Sequence, residues 1–380
     1  MVISMLLSQR YLFDIPSEII YLNTAFMSPL LNSVVKAIAK GTQAKANPWK
    51  IKTHNFYEDV EKARSFFSKI VNVQSDTIAI IPSASYGIET AAKNLSCSVQ
   101  KNIVVLENQF PSNVYPWFRI AKEKNVNIRK IPNDSNDLTA SIIEYLDDSC
   151  DIVALPNVVW TTGQIIDLVR VKKKCDLVNA ALVLDLTQSV GAMTTNLKKI
   201  KPDFAVVANY KWMLGPYATA FLYVDKKYHK GQPLEEGWIT RRKSHNFANL
   251  THYTDQYQAG AVRFDMGERT NFSLLPGVVS ALEQLLKWEI KKIESTLKKQ
   301  TDYLAVKLKN IGLEVLSETQ RSPHFLSAEL PTDANPDILQ ILESHGIYLS
   351  IRSNSLRITP HLWNNYDELD FFASKLSRII

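Results

Sequence analysis

The sequence predicts an α/β fold: a large domain built on a mostly parallel sheet covered by helices, with a smaller α+β domain beside it. Three observations carry this reading. Between about residues 75 and 225, short apolar runs alternate with segments able to form helices. These runs are continuous Val, Ile and Leu rather than alternating apolar and polar, as expected of strands buried on both faces. After about residue 275 the pattern changes to long helical stretches, then to shorter strands mixed with helices.

The elements are taken in chain order. Residues 57–71 place Tyr57, Val60, Ala63, Phe67 and Ile70 near one helical face. The strand runs come next: TIAII (77–81), NIVVLE (102–107), DIVALPNVVW (151–160), ALVLDL (181–186), DFAVVAN (203–209) and AFLYV (220–224). In the later helices, the lysines of KWEIKKIESTLKKQ fall on a wet face, with Trp288, Ile293, Leu297 and Leu304 near the opposite one. The shorter strands LEVLS, HFLSAEL, IYLSIR and LRITP come after them, with helical stretches at 336–345 and 366–378. The expected division is residues 20–260 for the large domain and 1–19 plus 261–380 for the small one.

Composition narrows the function classes. An apolar share of 46% and a charged share of 22% are ordinary for a soluble protein. No apolar run reaches the roughly 18 residues of a membrane span. The start, MVISMLLSQRYLFDIP, lacks a basic segment and a small-residue cleavage site, so neither signal peptide nor membrane partner is expected. Cys97, Cys150 and Cys175 show no CxxC spacing, which argues against a disulfide framework and points to a reducing cytoplasm. The 7 histidines form no HExxH, and no metal is expected. The net charge of +6 is modest, and without an aromatic-plus-basic motif it gives no case for nucleic acid. No GxGxxG stands after a strand, which argues against a nicotinamide dehydrogenase.

In an open parallel sheet, ligands bind beyond the carboxyl ends of the strands, so the residues just past each run carry the most information. TIAII leads into PSASYG and a helical stretch, NIVVLE into NQFPSNVYPW, and DIVALP into Asn157. ALVLD ends on Asp185, and DFAVVAN runs into Tyr210 and Lys211. A helix N-terminus suits a phosphate, and an aromatic face such as Phe110 suits a flat ring. A carboxylate keeps a ring nitrogen protonated, and a lysine held near the ring can form a Schiff base. Taken singly, these are an ordinary turn, a core aromatic, a helix cap and a snorkelling lysine. Their shared position at the strand ends describes a site for pyridoxal 5′-phosphate.

The segments DLTQSVGA, NYKWMLGPYATAFLYV, QFPSNVYPW and RFDMGERTNFSLLPG resemble the class V aminotransferase family of pyridoxal-phosphate enzymes. That family includes cysteine desulfurases, kynureninases and isopenicillin N epimerase-like proteins, and the resemblance spans nearly the whole chain. It implies the type I fold of these enzymes. Lys211 becomes the Schiff-base lysine, Asp185 the partner of the ring nitrogen and Gln188 the partner of the ring's phenolic oxygen. Phe110 becomes the stacking aromatic; Ala84, Ser85 and Tyr210 become phosphate contacts. Thr270 and Asn271 match a segment donated across a homodimer interface to the partner's phosphate. Arg357 matches the arginine that grips the α-carboxylate of an amino-acid substrate, a task suited to its planar fork. Two departures stand out. YLSIRSNSLRITPH holds no cysteine where desulfurases carry one, and Asn113 stands where kynureninases carry an aspartate. The resemblance implies an aminotransferase, with a C–S or C–Se lyase or an epimerase as alternatives.

Overall fold

The computed structural model describes residues 5–380. The first four positions of the expected small-domain segment lie outside them. In chain order the elements that matter are β1 (Ile20–Tyr21), α1 (Asn32–Lys45), α2 (Glu58–Ile70), β2 (Ile78–Ile81), α3 (Ala84–Asn94), β3 (Asn102–Leu106), α4 (Tyr115–Lys124) and β4 (Asn127–Ile131). They continue with α5 (Leu138–Tyr145), β5 (Cys150–Pro156), α6 (Leu168–Leu177), β6 (Ala181–Asp185), α7 (Leu197–Ile200), β7 (Phe204–Ala208), β8 (Ala220–Val224), α8 (Leu275–Trp288) and α9 (Ile290–Asn310). The last are β9 (Glu314–Val315), β10 (Leu326–Glu329), α10 (Ile338–Ser344), β11 (Ile347–Tyr348), β12 (Ser350–Arg352), β13 (Ser355–Ile358) and α11 (Tyr366–Leu376).

Seven strands form the large sheet in the order β2-β8-β7-β6-β5-β3-β4. Only β8 runs against its neighbours, β2 and β7. Side chains alternate between two apolar layers, as strand geometry requires. Ile78, Ile80, Val153, Leu155, Leu182, Leu184, Ala205 and Val207 enter one layer. Ala79, Ile81, Ile152, Ala154, Val183, Phe204 and Val206 enter the other, with α3 and α4. Both faces are therefore covered, which is why the runs read as unbroken apolar sequence. At Gly87 an added Cβ would collide with the Val206 and Ile81 side chains, so α3 lies hard against the sheet.

A third apolar cluster gathers Ile20, Leu22, Leu304, Leu308, Leu326, Ile347, Leu356 and Phe372. It lies under the antiparallel sheet β12-β13-β10-β9 and the two-stranded pair β1-β11. Residues 20–28 bridge the two bodies. Ile20 and Leu22 donate to Gly346 and Tyr348 of the small body, while Ser28 donates to the Tyr210 carbonyl beside the large sheet.

Most expected helices and strands form where the sequence places them, and Trp288, Ile293, Leu297 and Leu304 are all buried. The differences have physical reasons. Strand β4 escapes the sequence pattern, because NIRKI at the sheet edge holds no continuous apolar run and carries Asn127, Arg129 and Lys130. Helix α1 also lies outside the stretches that read as helical. The strand expected over 151–160 stops at Pro156, which has no N–H to extend the ladder. Helix α8, expected in the small domain, packs on α1 and α2 and shares their apolar layer.

Candidate active site

The carboxyl ends of the strands surround a cavity of about 350 Å³. Its wall includes Ser83, Ala84, Ser85, Phe110, Asp185, Gln188, Tyr210 and Lys211. Lys211 comes from the connection between β7 and β8. These strands are antiparallel neighbours, so the chain turns back at once, and Asn209 closes it by donating to the Thr219 carbonyl at 3.0 Å. Leu214 and Ala218 take positive φ in that turn. The next residue, Trp212, is sealed in the core and donates its indole N–H to Gln188 Oε1 at 2.9 Å. With Trp212 anchored inward, Lys211 is directed into the cavity. Its Nζ lies 5.4 Å from the Phe110 ring centre and 5.5 Å from that of Tyr210.

Lys211 is only 8% exposed, and among the described residues it makes no ion pair. Burial pushes its pKa down to about 8; Asp185 opposes the shift, and Arg357 and Arg352 add to it. Asp185 ends β6 and accepts the Thr187 amide at 3.0 Å. Burial raises its pKa, against the Thr187 hydrogen bond and the charge of Lys211. Gln188 also donates to the Ala25 carbonyl at 3.0 Å, so its amide plane is held from both ends.

At the opposite wall, Ser83 caps α3 by accepting the Tyr86 amide at 3.2 Å. The Ser83 and Ser85 hydroxyls lie 2.9 Å apart at that helix end. Phe110 meets Trp160 edge to face, with ring centres 5.5 Å apart. Burial pushes the Tyr210 phenol up to about 12.

Arg357 lies at the edge of this group, 2% exposed. Its Nε donates to Ser350 Oγ at 3.0 Å and its Nη1 to the Trp160 carbonyl at 2.8 Å. Among the described residues no carboxylate pairs with it. Burial and the neighbouring Arg352 hold it down at about 10.

Asn157 is one of the sequence-predicted residues that the fold does not bring to the cavity. Its amide donates to the Ile166 carbonyl at 3.0 Å, and its side chain lines a neighbouring cavity. The period-2 alternation of extended chain turns Pro156, Val158 and Trp160 toward the candidate site and Asn157 away. Trp160 could have been found by counting in twos from Pro156. Ser83 could have been found as the hydroxyl residue just ahead of the helical stretch, but Thr187, which holds Asp185, carried no local signal. Thr270 and Asn271 also stand apart from the cavity of their own chain. Thr270 donates to the Phe56 carbonyl at 3.0 Å and lines a surface hollow with α1 residues, while Asn271 accepts the Leu274 amide. Arg241 and Arg242 belong to a separate loop, where Arg241 pairs with Glu236.

A fold of this topology, with a buried lysine and aspartate converging where the strands end, defines a cofactor-type cleft of the open α/β class. The profile of the class-V aminotransferase family matches residues 20–357, and the chain belongs to that family. It is 24% identical over 345 residues to a probable cysteine desulfurase of Pyrococcus abyssi, covering 84% of this chain and 83% of that one. It is 26% identical over 287 residues to a kynureninase of Bacillus thuringiensis, covering 71% of this chain and 66% of that one. Among solved structures it is similar to C-DES. A variant of that protein, with glycine covalently linked to its pyridoxal-phosphate cofactor, superposes with a TM-score of 0.88 at 17% identity, covering 98% of this chain and all of the other. The complex of the cystine C–S lyase C-DES with cysteine persulfide gives 0.84 at 18% identity, covering 94% and 97%.

Proposed function

We propose that this chain is a pyridoxal-phosphate-dependent enzyme acting at the α-amino group and α-carbon of an amino acid, with transamination as the reaction. The observation that carries this is Lys211: a buried amine with no carboxylate pair among the described residues, held at the cavity wall within reach of the field of Asp185.

The cavity fits the cofactor by its own chemistry. The Ser83 and Ser85 hydroxyls and the free N–H groups of α3 suit a phosphate. Phe110 offers a ring face, Asp185 an acceptor for a ring N–H, and Gln188 a fixed amide. Thr270 and Asn271 are assigned to the phosphate of a second copy, which makes the working unit a homodimer with shared sites. The cofactor, when bound, supplies an aldehyde for the amino group and a ring that accepts electrons. The protein supplies the rest. Arg357 grips the α-carboxylate with the part of its fork left free by Ser350 and Trp160. Lys211 Nζ, brought down to about 8, takes and returns a proton near neutral pH. Phe110, Trp160 and Tyr210 limit water around that proton.

A β-lyase is the second reading. It is favoured by the likeness to proteins named cysteine desulfurase and cystine C–S lyase. The route through a catalytic cysteine is disfavoured here, since all three cysteines are buried. Borohydride reduction of the protein mixed with pyridoxal phosphate is expected to fix the label on the peptide holding Lys211; label on another lysine refutes the assignment. Product analysis then separates the reactions. A new amino acid formed from a keto-acid acceptor supports transamination, and release of the β-substituent without one supports the lyase.

A further inference from the structure

Arg352 and Arg357 lie on one face of the small sheet. Ser350 pairs with Arg357 across the antiparallel strands β12 and β13, and Arg352 is two residues beyond Ser350. Cross-strand partners share a face, and so do residues two apart, which makes the two arginines diagonal neighbours. Both reach the same object. The guanidinium carbon of Arg357 lies 5.9 Å from the Trp160 ring centre and that of Arg352 lies 6.0 Å from it, and Trp160 is part of the cavity wall. Among the described residues neither arginine has a carboxylate partner. Arg352 uses Nη1 on the Ile351 carbonyl at 2.7 Å, and Arg357 uses Nε and Nη1 on Ser350 and Trp160, so each keeps N–H groups unspent. Two cations side by side repel, and a single α-carboxylate neutralises only one of them.

We propose that this pair selects an amino acid carrying a second carboxylate on its side chain, with Arg357 on the α-carboxylate and Arg352 on the distal one. This rests on the amino-acid reading above and names its substrate class. Trp160 lies against both guanidiniums; Arg352 keeps the Nε and Nη2 side of its fork for an oxyanion, and Arg357 keeps Nη2.

The test uses the cofactor-loaded protein and two unreactive probes, succinate and butyrate, titrated by calorimetry. Wild type is expected to hold succinate more tightly than butyrate. In Arg352→Ala the ratio of the two affinities should fall roughly ten- to a hundredfold, the loss of one or more charge-assisted contacts. Arg352→Lys should keep part of the ratio. A wild-type ratio near one overturns the proposal. So does an unchanged ratio in Arg352→Ala, including one in which both probes weaken equally because the arginines share one carboxylate. The underlying reading fails differently. If L-aspartate, L-glutamate and L-alanine all leave the cofactor absorbance unchanged while the Arg352-dependent ratio persists, the dianion pair stands and the amino-acid reading falls.

Discussion

Replacing Lys211 by methionine in the cofactor-free protein should make the fold more stable at neutral pH. The lysine is 8% exposed, and its pKa lies at about 8 instead of the ordinary 10.5 because burial penalises the ammonium. At about 1.4 kcal/mol per pKa unit, holding this amine in the fold costs on the order of 3 kcal/mol below pH 8. The sign comes from proton binding. Between pH 8 and 10.5 the unfolded chain holds a proton on Lys211 that the folded chain has released, so stability rises with pH across that window. Below pH 8 both states carry the proton and the full penalty stands. Urea unfolding of wild type and Lys211→Met, from pH 7 to pH 11, checks this. The variant should be more stable at pH 7, and its advantage should shrink by on the order of 3 kcal/mol by the top of the range. Methionine also packs differently, but that contribution does not change with pH. A difference between the two proteins that stays constant from pH 7 to 11 refutes the reasoning.

Arg357→Ala should weaken substrate binding roughly ten- to a hundredfold, from the loss of charge-assisted hydrogen bonds, while the visible absorbance of bound cofactor survives; spectral titration checks both. Arg357→Lys should recover only part, since an ammonium keeps the charge but not the planar fork whose separate nitrogens reach Ser350 and Trp160. The three thiols should resist alkylation in the folded protein at pH 8 and react on unfolding, because burial raises all three, Cys97 to about 11 and Cys175 to about 12. A variant with all three cysteines replaced by alanine should keep turnover, and loss of turnover from one such change with cofactor retained would reinstate a thiol mechanism. Asp265→Ala should destabilise the fold by about 3–5 kcal/mol or abolish it, since Arg64 and Arg269 share that carboxylate in a dry interior. Denaturant unfolding measures it.

Lys211 and Asp185 were legible because each closes an apolar run, and the rule that ligands gather at strand ends needs only one dimension. Asn157 sits at such an end too, yet faces away: the end of a strand is readable from sequence, but not which side of the extended chain is turned inward. Arg357 was legible through resemblance alone. Its contact with Trp160 joins positions 197 residues apart, and nothing local to either announces it. Helix α8 illustrates the same limit. Its apolar stripe says that it packs, and the stripe is satisfied equally by either domain; only the fold chooses α1 and α2. Strand β4 was hidden because an edge strand has one covered face and reads as polar.

The run from Ile20 to Ser28 hydrogen-bonds at its start to β11 and at its end to the residue before Lys211. Between them, Ala25 holds the amide of Gln188. This run is thus a seam sewn into both halves rather than a leader that could be trimmed. A chain begun after residue 28 would lose the strand that joins β11 to Thr359, the clamp on Gln188 and the brace behind Tyr210 together. Through Thr359, which follows β13, and through Ser28 beside Tyr210, this run ties the arginine-bearing sheet to the residue before Lys211.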